Sequence, residues 1–197
     1  MFRFKDRPMS TPPDTRAPRT RRADARQNLD ALVEAAKAVF AESGVDAPIR
    51  SIAERAGVGV GTLYRHFPQR SDLISAVFRR EMDACVDAAD ELAAAHPPGE
   101  ALDLWVLRYT EFVATKRGLS AALHSGDPAY EPLAGYFSTR LAPAFSNLLE
   151  AARAAGERIA PVDPEEFLGA VADLCHSRAG TDRAERMVRL LLAGLRA

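Results

Sequence analysis

The sequence predicts an all-α protein with a small N-terminal domain and a larger C-terminal domain. Apolar residues recur at helical spacing through most of the 197 residues, and no convincing strand alternation interrupts them. Glycine and proline separate the periodic segments, as at residues 97–99. The chain is long enough for one small and one medium helical domain, each with its own core.

The first 22 residues predict a disordered basic arm. They place Pro8, Pro12, Pro13 and Pro18 among serine, threonine and arginine, a composition that cannot bury enough apolar surface to fold. Such an arm either lies along nucleic-acid phosphates or remains a solvated tail, and both interpretations fit the composition.

The first helix is predicted from Asp24 to Glu42, because apolar residues recur there every three or four positions. These residues are Leu29, Leu32, Val33, Ala36, Val39 and Phe40. Ser43 and Gly44 end this helix. Pro48 begins the second helix, since the fixed φ of proline suits a first helical position.

Residues 52–67, IAERAGVGVGTLYRHF, have the spacing of two short helices joined by a tight turn. Ala53 is small enough for a second helix to cross close by, and Gly57 can adopt the positive φ of the turn. Leu63 then anchors the second of these helices to the core. That helix begins near Gly59 and carries small, hydroxyl, aromatic and basic side chains, which suit a DNA groove and its phosphates. The segment therefore predicts a DNA-binding helix-turn-helix.

The charge distribution supports this prediction. The first 80 residues carry 15 basic and 9 acidic side chains, a net charge of +6, and the remaining residues carry 11 and 18, a net charge of −7. The net charge of −1 for the whole chain hides this asymmetry. Because the basic half contains the helix-turn-helix, one end of the protein is expected to attract nucleic acid.

The runs AGVGVGTLYRHFPQRSDL (residues 56–73) and VFAESG (residues 39–44) resemble the TetR family of bacterial transcriptional regulators. This resemblance implies a three-helix DNA-binding domain over residues 23–70 and a helical effector-binding and dimerisation domain over residues 71–197. Two positions depart from the family pattern. Ala47-Pro48 stands where a serine or threonine often opens the second helix, and Gly59 stands where a serine often starts the third, so both lack a capping hydroxyl.

The resemblance also implies which residues contact DNA. Arg50, Val60, Gly61, Thr62 and Arg65 occupy groove-facing positions, Tyr64, His66 and Arg70 contact phosphates, and Gly59 offers its backbone at the start of the recognition helix. Arginine can form bidentate hydrogen bonds to guanine, and the methyl groups of Val60 and Thr62 can contact a thymine methyl. Alternatively, Tyr64 and His66 pack on the fourth helix, and Arg50 is only a solvated charge.

A long fourth helix, capped by Gln69 or Ser71, is predicted to join the two domains, and the remaining chain reads as helix. One apolar face comprises Leu102, Trp105, Val106, Tyr109, Phe112 and Val113; a later one comprises Leu133, Phe137, Leu141, Phe145, Leu148 and Leu149. A bend is expected near Pro143. Residues 114–123 and 148–167 resemble the C-terminal domain of SbtR-like members of the family.

The last two predicted helices carry amphipathic stripes on either side of a polar turn at residues 177–182. The resemblance implies a homodimer interface formed by Phe167, Val171, Leu174, Met187, Val188, Leu191 and Leu195. A two-fold dimer would place two recognition helices in successive major grooves, about 34 Å apart. Alternatively, both stripes belong to the core of a monomer.

A small-molecule effector is expected to bind in a cavity of the second domain. Its candidate lining residues are Trp105, Tyr109, Phe112, His124, Tyr130, Phe137 and His176. Aromatic side chains would provide shape, and histidines would provide polar contacts. For each aromatic residue the alternative is core packing, because large apolar side chains dominate helical cores. A lone histidine is, in the same way, often a structural residue.

The function implied is that of a homodimeric repressor in which the effector moves the fourth helix and releases a palindromic DNA operator. An enzyme is disfavoured, because the sequence has no nucleophile elbow, phosphate-binding glycine loop or paired zinc motif, and Asp173 to His176 is only a single carboxylate-x-x-His. A third interpretation keeps the DNA-binding domain but makes the second domain a ligand-free dimerisation module or protein adaptor.

No metal and no cofactor is predicted. Cys85 and Cys175 are far apart, each within a helical pattern, which favours two reduced and packed thiols over a disulfide or a redox pair. The chain has neither an apolar run of about 18 residues nor an N-terminal signal peptide. We therefore expect a cytoplasmic protein that does not enter a membrane.

Overall fold

A computed structural model describes residues 18–116, 126–176 and 181–196, and every regular element in these ranges is helical. The all-α prediction is confirmed. The N-terminal part comprises α1 (Pro18–Ser43), α2 (Ile49–Arg55), α3 (Val60–His66) and α4 (Arg70–Ala95), and α5 (Pro98–Lys116) follows.

The later described segments complete the fold. A short 3₁₀ turn (Pro128–Tyr130), α6 (Glu131–Tyr136), a π-helical turn (Phe137–Leu141) and α7 (Ala142–Ala154) follow one another without a break. The last helices are α8 (Pro164–His176) and α9 (Thr181–Leu195). The single long helix predicted over residues 133–149 is divided by this π-helical turn, which ends just before α7 begins; Pro143 lies in the first turn of α7.

Two predicted boundaries differ from the structure. The first helix begins at Pro18, so it includes residues 18–22 of the predicted disordered arm; residues 1–17 lie outside the described chain. Proline is favourable at a first helical position, and the arginines and alanine that follow it are good helix formers. Pro48 lies immediately before α2 with an extended ψ of 132°, where its carbonyl accepts the Ser51 N–H.

The helix-turn-helix has the predicted geometry. Ala53 and Leu63 are both almost fully buried, so α2 and α3 meet through a small residue and a core anchor. Gly57 has a φ of +69°, a left-handed conformation that most other residues disfavour, and this lets the turn form. The Val58 N–H then donates to the Ala53 carbonyl at 3.0 Å, which closes the turn.

Helix α4 is shared by both parts of the fold. Gln69 and Asp72 form a capping box at its start, in which the Gln69 N–H donates to the Asp72 carboxylate at 2.9 Å. Its buried face consists of Leu73, Ile74, Val77, Phe78, Met82 and Cys85. Because α4 packs on α1 at one side and on α5 and α7 at another, a movement of α4 would affect both domains.

An aromatic cluster forms the centre of the C-terminal core. Trp105 stacks on Tyr109 with ring centroids 6.0 Å apart, and on Phe145 at 5.8 Å. Phe145 in turn stacks on Phe167 at 5.0 Å. These contacts join α5, α7 and α8, which pack against one another in one core.

Candidate nucleic-acid interface

Helix α3 has a mainly polar face exposed to solvent, and one leucine on its other side is buried in the core. Leu63 is buried, whereas Gly61 and Arg65 are exposed, and the side chain of Thr62 is half-buried. Tyr64 is 51% exposed, which is unusual for a large aromatic residue in a small domain. The structure thus does not show Tyr64 packing on α4, and its hydroxyl is accessible to a phosphate.

The other residues of α3 that are predicted to contact DNA differ in how far they are exposed. Val60 is half-buried against the core, so a part of its side chain remains accessible. His66 is also half-buried, and its ring centroid lies 6.5 Å from that of Phe67. A Cβ added at Gly61 would meet no atom within 4 Å. Packing within the subunit therefore leaves open space beside Gly61, where a DNA backbone can approach closely.

Neither α2 nor α3, the two helices of the helix-turn-helix, has a side-chain cap at its N-terminus. Pro48 precedes α2 and Gly59 precedes α3, and neither provides a side-chain hydrogen bond to the first turn. Gly59 instead has extended dihedral angles, and its carbonyl accepts the N–H of Thr62 at 2.9 Å. Phosphate binding at these two helix starts must therefore use backbone N–H groups, without help from a serine or threonine hydroxyl.

The guanidinium groups around α3 differ in how they are paired. Arg50 on α2 and Arg65 on α3 are exposed and have no ion pair with any described residue. Arg55, in contrast, pairs with Glu42 of α1 at 2.7 Å. Arg65 on α3 and Arg50 on α2 thus carry exposed charges that are suited to attract DNA.

Arg70 does not have the surroundings expected of a phosphate contact. It is half-buried, and its Nη1 donates to the carbonyl of Val45 and, at 2.8 Å, to that of Ala47. The guanidinium therefore stabilises the loop between α1 and α2 by satisfying two main-chain acceptors. Sequence reasoning missed this role, because these partners lie 25 and 23 residues earlier in the chain.

Comparisons with known proteins agree with this geometry. The sequence profile of bacterial regulatory proteins of the tetR family matches residues 32–77. The profile of the C-terminal domain of SbtR-like transcriptional regulators matches residues 97–197, more than half of the chain. The chain belongs to the TetR family. Members of this family are DNA-binding transcriptional regulators, which is a regulatory rather than a catalytic class of protein.

Two solved TetR-family structures are similar over most of their length. The TetR regulator SCO0520 from Streptomyces coelicolor is 37% identical, with a TM-score of 0.72 over 85% of this chain and 97% of that one. The TetR regulatory protein from Mycobacterium vanbaalenii is 36% identical, with a TM-score of 0.73 over 89% and 99%.

A curated relative matches a shorter stretch of the chain. The HTH-type transcriptional regulator SAUSA300_2515 from Staphylococcus aureus is 43% identical over 63 residues, which are 32% of this chain and 34% of that protein. This match therefore covers about a third of the relative.

The structure places three of the predicted effector residues in the packed core of this TetR-family chain. Trp105, Tyr109 and Phe112 are all buried. The indole N–H of Trp105 donates to the Cys85 carbonyl at 2.8 Å, and the Tyr109 hydroxyl donates to the Leu168 carbonyl at 3.2 Å. Because both polar groups are already satisfied within the chain, these contacts support the core-packing alternative.

The remaining predicted effector residues are not part of the buried aromatic cluster. Tyr130 and Phe137 are half-buried at the edge of the core. His124 lies outside the described residues. His176 ends α8, but its side chain also falls outside what the structure describes.

The predicted dimer residues divide into two groups. Phe167, Val171, Val188 and Leu195 are buried within the subunit, which favours the alternative that their stripes belong to the core of the subunit. Helices α8 and α9 turn these side chains onto α5 and onto each other. Leu174, Met187 and Leu191 are half-buried at the margin.

Sequence reasoning missed an exposed leucine of the last helix. Leu190 is 64% exposed. It lies two residues from both Val188 and Leu192, which are buried, so helical periodicity turns it toward the opposite, exposed side of the helix. A leucine two residues from each of two apolar-stripe positions was the signal that could have identified it.

In the described ranges, every helix is too short or too polar to be a membrane span. Within the same ranges, no group of three or more histidine, cysteine or acidic side chains could hold a metal ion. Cys85 and Cys175 are both buried and are not joined in a disulfide, and burial raises the pKa of Cys85 to about 12.

Proposed function

We propose that this protein is a ligand-responsive transcriptional repressor that binds a palindromic operator as a homodimer and releases it when a small-molecule effector binds. The DNA-binding domain extends to residue 70, and the effector-binding and dimerisation domain begins at residue 71. The observation that carries this proposal is the exposed face of α3, where Thr62, Tyr64 and Arg65 surround the buried anchor Leu63.

The DNA-binding step follows from the side chains of that face. Arg65 is exposed and unpaired among the described residues, so it can form bidentate hydrogen bonds to a guanine edge. Tyr64 can donate to a phosphate, and the methyl group of Thr62 can contact a thymine. Arg50, on α2, adds a second exposed cation near the same groove.

The homodimer is supported by the outer face of α8 and α9. Leu190 is exposed there, next to the half-buried Met187 and Leu191, and α8 contributes the small exposed residues Gly169 and Ala170. Small residues allow two helices to approach closely, and burial of Leu190 would remove apolar surface from water. A two-fold axis through this face would present two copies of α3 to one DNA duplex.

Effector response is supported by the contacts of α4. Arg80 pairs with Asp30 of α1 at 2.9 Å and with Glu34 at 3.2 Å, and Glu81 pairs with Lys37 at 2.8 Å. Helix α4 is thus bonded to the DNA-binding domain while its other side packs on α5 and α7. An effector that weakens DNA binding must bind the DNA complex more weakly than the free dimer, by the same factor.

The first test is selection of bound fragments from a randomised DNA pool at about 150 mM salt, where non-specific phosphate attraction is screened. Enrichment of a palindrome is the expected result, because a symmetric dimer reads two equivalent half-sites. Failure of a folded protein to enrich any sequence would contradict specific DNA binding. Enrichment of a single half-site, without its inverted copy, would contradict the homodimer but would leave specific DNA binding intact.

A further inference from the structure

A cleft of about 400 Å³ lies between α4 and the segment formed by the π-helical turn and α7. None of the effector residues predicted from the sequence lines it. Its lining also contains no residue of α8 or α9, so it does not overlap with the surface that we propose for dimerisation. The cleft is therefore a separate candidate for a small-molecule site.

The base of the cleft is apolar. Ala89 of α4 and Ala144 and Leu148 of α7 are buried there. Because residues 89 and 144 are alanines, their side chains leave space between the two helices. A flat apolar group can therefore enter the cleft and cover this surface, which favours binding through the hydrophobic effect.

The α4 wall of the cleft is negatively charged. Asp87 and Asp90 are three residues apart, so both carboxylates lie on the same face of the helix. Neither forms an ion pair with a described residue. Arg140 on the opposite wall does not compensate them, because its Nη2 pairs with Asp83 at 3.1 Å.

The opposite wall adds polar groups at a local irregularity of the backbone. Thr139 and Arg140 belong to the π-helical turn, and Asn147 follows on α7. The Thr139 hydroxyl donates to the Gly135 carbonyl at 2.8 Å, whereas Asn147 retains an amide that can bind a ligand. π-helical turns occur frequently at functional sites.

We propose that this cleft binds an organic cation with a flat apolar body. The apolar body lies on Ala89, Ala144 and Leu148, and the positive charge lies against Asp87 and Asp90. An anionic molecule of the same shape is excluded, because both carboxylates would repel it. The inference rests on the proposed function only for its regulatory consequence, namely that the cation is an effector.

That consequence follows from the position of the two carboxylates on α4. They lie two to three helical turns beyond Arg80 and Glu81, which bond α4 to α1. A cation held between α4 and α7 changes the distance between these helices. Because α4 is a single helix from Arg70 to Ala95, a shift at Asp87 is transmitted to its contacts with the DNA-binding domain.

The test is a fluorescence anisotropy titration of the full-length protein with rhodamine 6G, a cationic xanthene dye, and with fluorescein, an anionic dye of the same ring system. We expect rhodamine 6G to bind and fluorescein not to bind. The double variant Asp87→Asn/Asp90→Asn should weaken the affinity for rhodamine 6G by about tenfold, because two exposed charge contacts are lost. Ala93→Phe should also prevent binding by filling the cleft mouth.

The matched control is Glu91→Gln/Glu150→Gln, which removes the same charge from exposed positions of α4 and α7 outside the cleft. This control should bind the dye as the parent does. Circular dichroism melting of each variant establishes that it is folded. The proposal is overturned if the parent does not bind rhodamine 6G, or if Asp87→Asn/Asp90→Asn and the control bind it equally.

Operator binding is measured separately on the same proteins. Asp87→Asn/Asp90→Asn should bind the selected operator with the affinity of the parent when no dye is present. A protein that binds the operator but not the dye would overturn the cation site and leave the DNA-binding function intact. A protein that binds the dye in the cleft but selects no operator would contradict the proposed function instead.

Discussion

The hydroxyl of Tyr136 donates to Oδ1 of Asp83 at 2.5 Å, across 53 residues of sequence. Arg140 donates to the same carboxylate oxygen at 3.1 Å. These bonds attach the end of α6 and the π-helical turn to α4, two to three residues beyond Arg80 and Glu81, which pair with α1. The hydrogen bond to Asp83 and the burial of the phenol raise the pKa of Tyr136. Asp83 therefore links the C-terminal domain to the helix that carries the DNA-binding domain.

Removal of this link should be measurable as coupling between two positions. Tyr136→Phe and Asp83→Asn are each expected to lower the free energy of unfolding by about 0.5 to 1 kcal/mol, a modest loss because Asp83 is partly exposed. The double variant should lose less than the sum, since either change breaks the same hydrogen bond. Urea denaturation of all four proteins measures this. Strict additivity would show that the two groups do not interact in solution.

Arg65 is expected to determine operator sequence. Arg65→Ala should weaken binding of the selected operator by about 1 to 3 kcal/mol and relax specificity at one base pair of each half-site. Electrophoretic mobility shift titrations with the operator and single-base variants measure both effects. Arg158→Ala removes the same charge from an exposed loop and should bind as the parent does. Equal operator affinity for Arg65→Ala and the parent would contradict the assignment.

Arg70 is expected to stabilise the fold rather than to contact a DNA phosphate. Arg70→Ala should lower the free energy of unfolding by about 1 to 3 kcal/mol, because the Val45 and Ala47 carbonyls lose a charged donor. The salt dependence of operator binding distinguishes the two roles. Loss of a phosphate contact would reduce the slope of log K against log salt by about 1, whereas loss of the loop contact should leave it unchanged.

Leu190 is expected to lie in the dimer interface. Leu190→Arg should convert the dimer to monomers, because an arginine pair at a two-fold interface places like charges in apolar surroundings. Sedimentation velocity measures the change in mass. Ala94→Arg adds the same side chain to an exposed position of α4 and should remain dimeric. A dimeric Leu190→Arg protein would place the interface elsewhere.

Stability should fall in alkaline solution. Burial raises the pKa of Cys85 from 9.0 to about 12 and also raises that of Tyr109. Between about pH 9 and 12 the unfolded chain loses these protons while the folded chain keeps them, so stability is complete below pH 9 and is lost as the pH rises. Melting temperatures at pH 8 and pH 10.5 test this. Cys85→Ala should reduce the pH dependence between the two values, and an unchanged dependence would rule out the thiol as its source.

Features that depend on short stretches of chain could be predicted from the sequence. The turn at Gly57 requires a positive φ, which glycine adopts without strain, and a helix crossing at Ala53 requires a small side chain. Leu63 follows at the spacing that turns it inward. These constraints act within about ten residues, so the helix-turn-helix and its exposed residues Arg65 and Tyr64 were readable before any tertiary contact was known.

Features that depend on which surfaces meet were not readable in this way. Periodicity identifies Val171 and Val188 as members of apolar stripes, but a stripe does not specify whether its own subunit or a partner covers it. The structure covers both with the core of the subunit and leaves Leu190 exposed. Arg70 likewise has the spacing of a DNA contact, and only the fold brings it to the carbonyl of Ala47.

The sequence by itself determined that the protein is helical, that it begins with a DNA-binding unit and that Leu63 anchors the recognition helix. It could do so because helix periodicity and turn geometry are properties of neighbouring residues. Only the tertiary structure decided that Asp83 joins Tyr136 to α4 and that Asp87 and Asp90 border a cleft. Such contacts join segments tens of residues apart, and their partners are selected by the packing of whole helices rather than by local spacing.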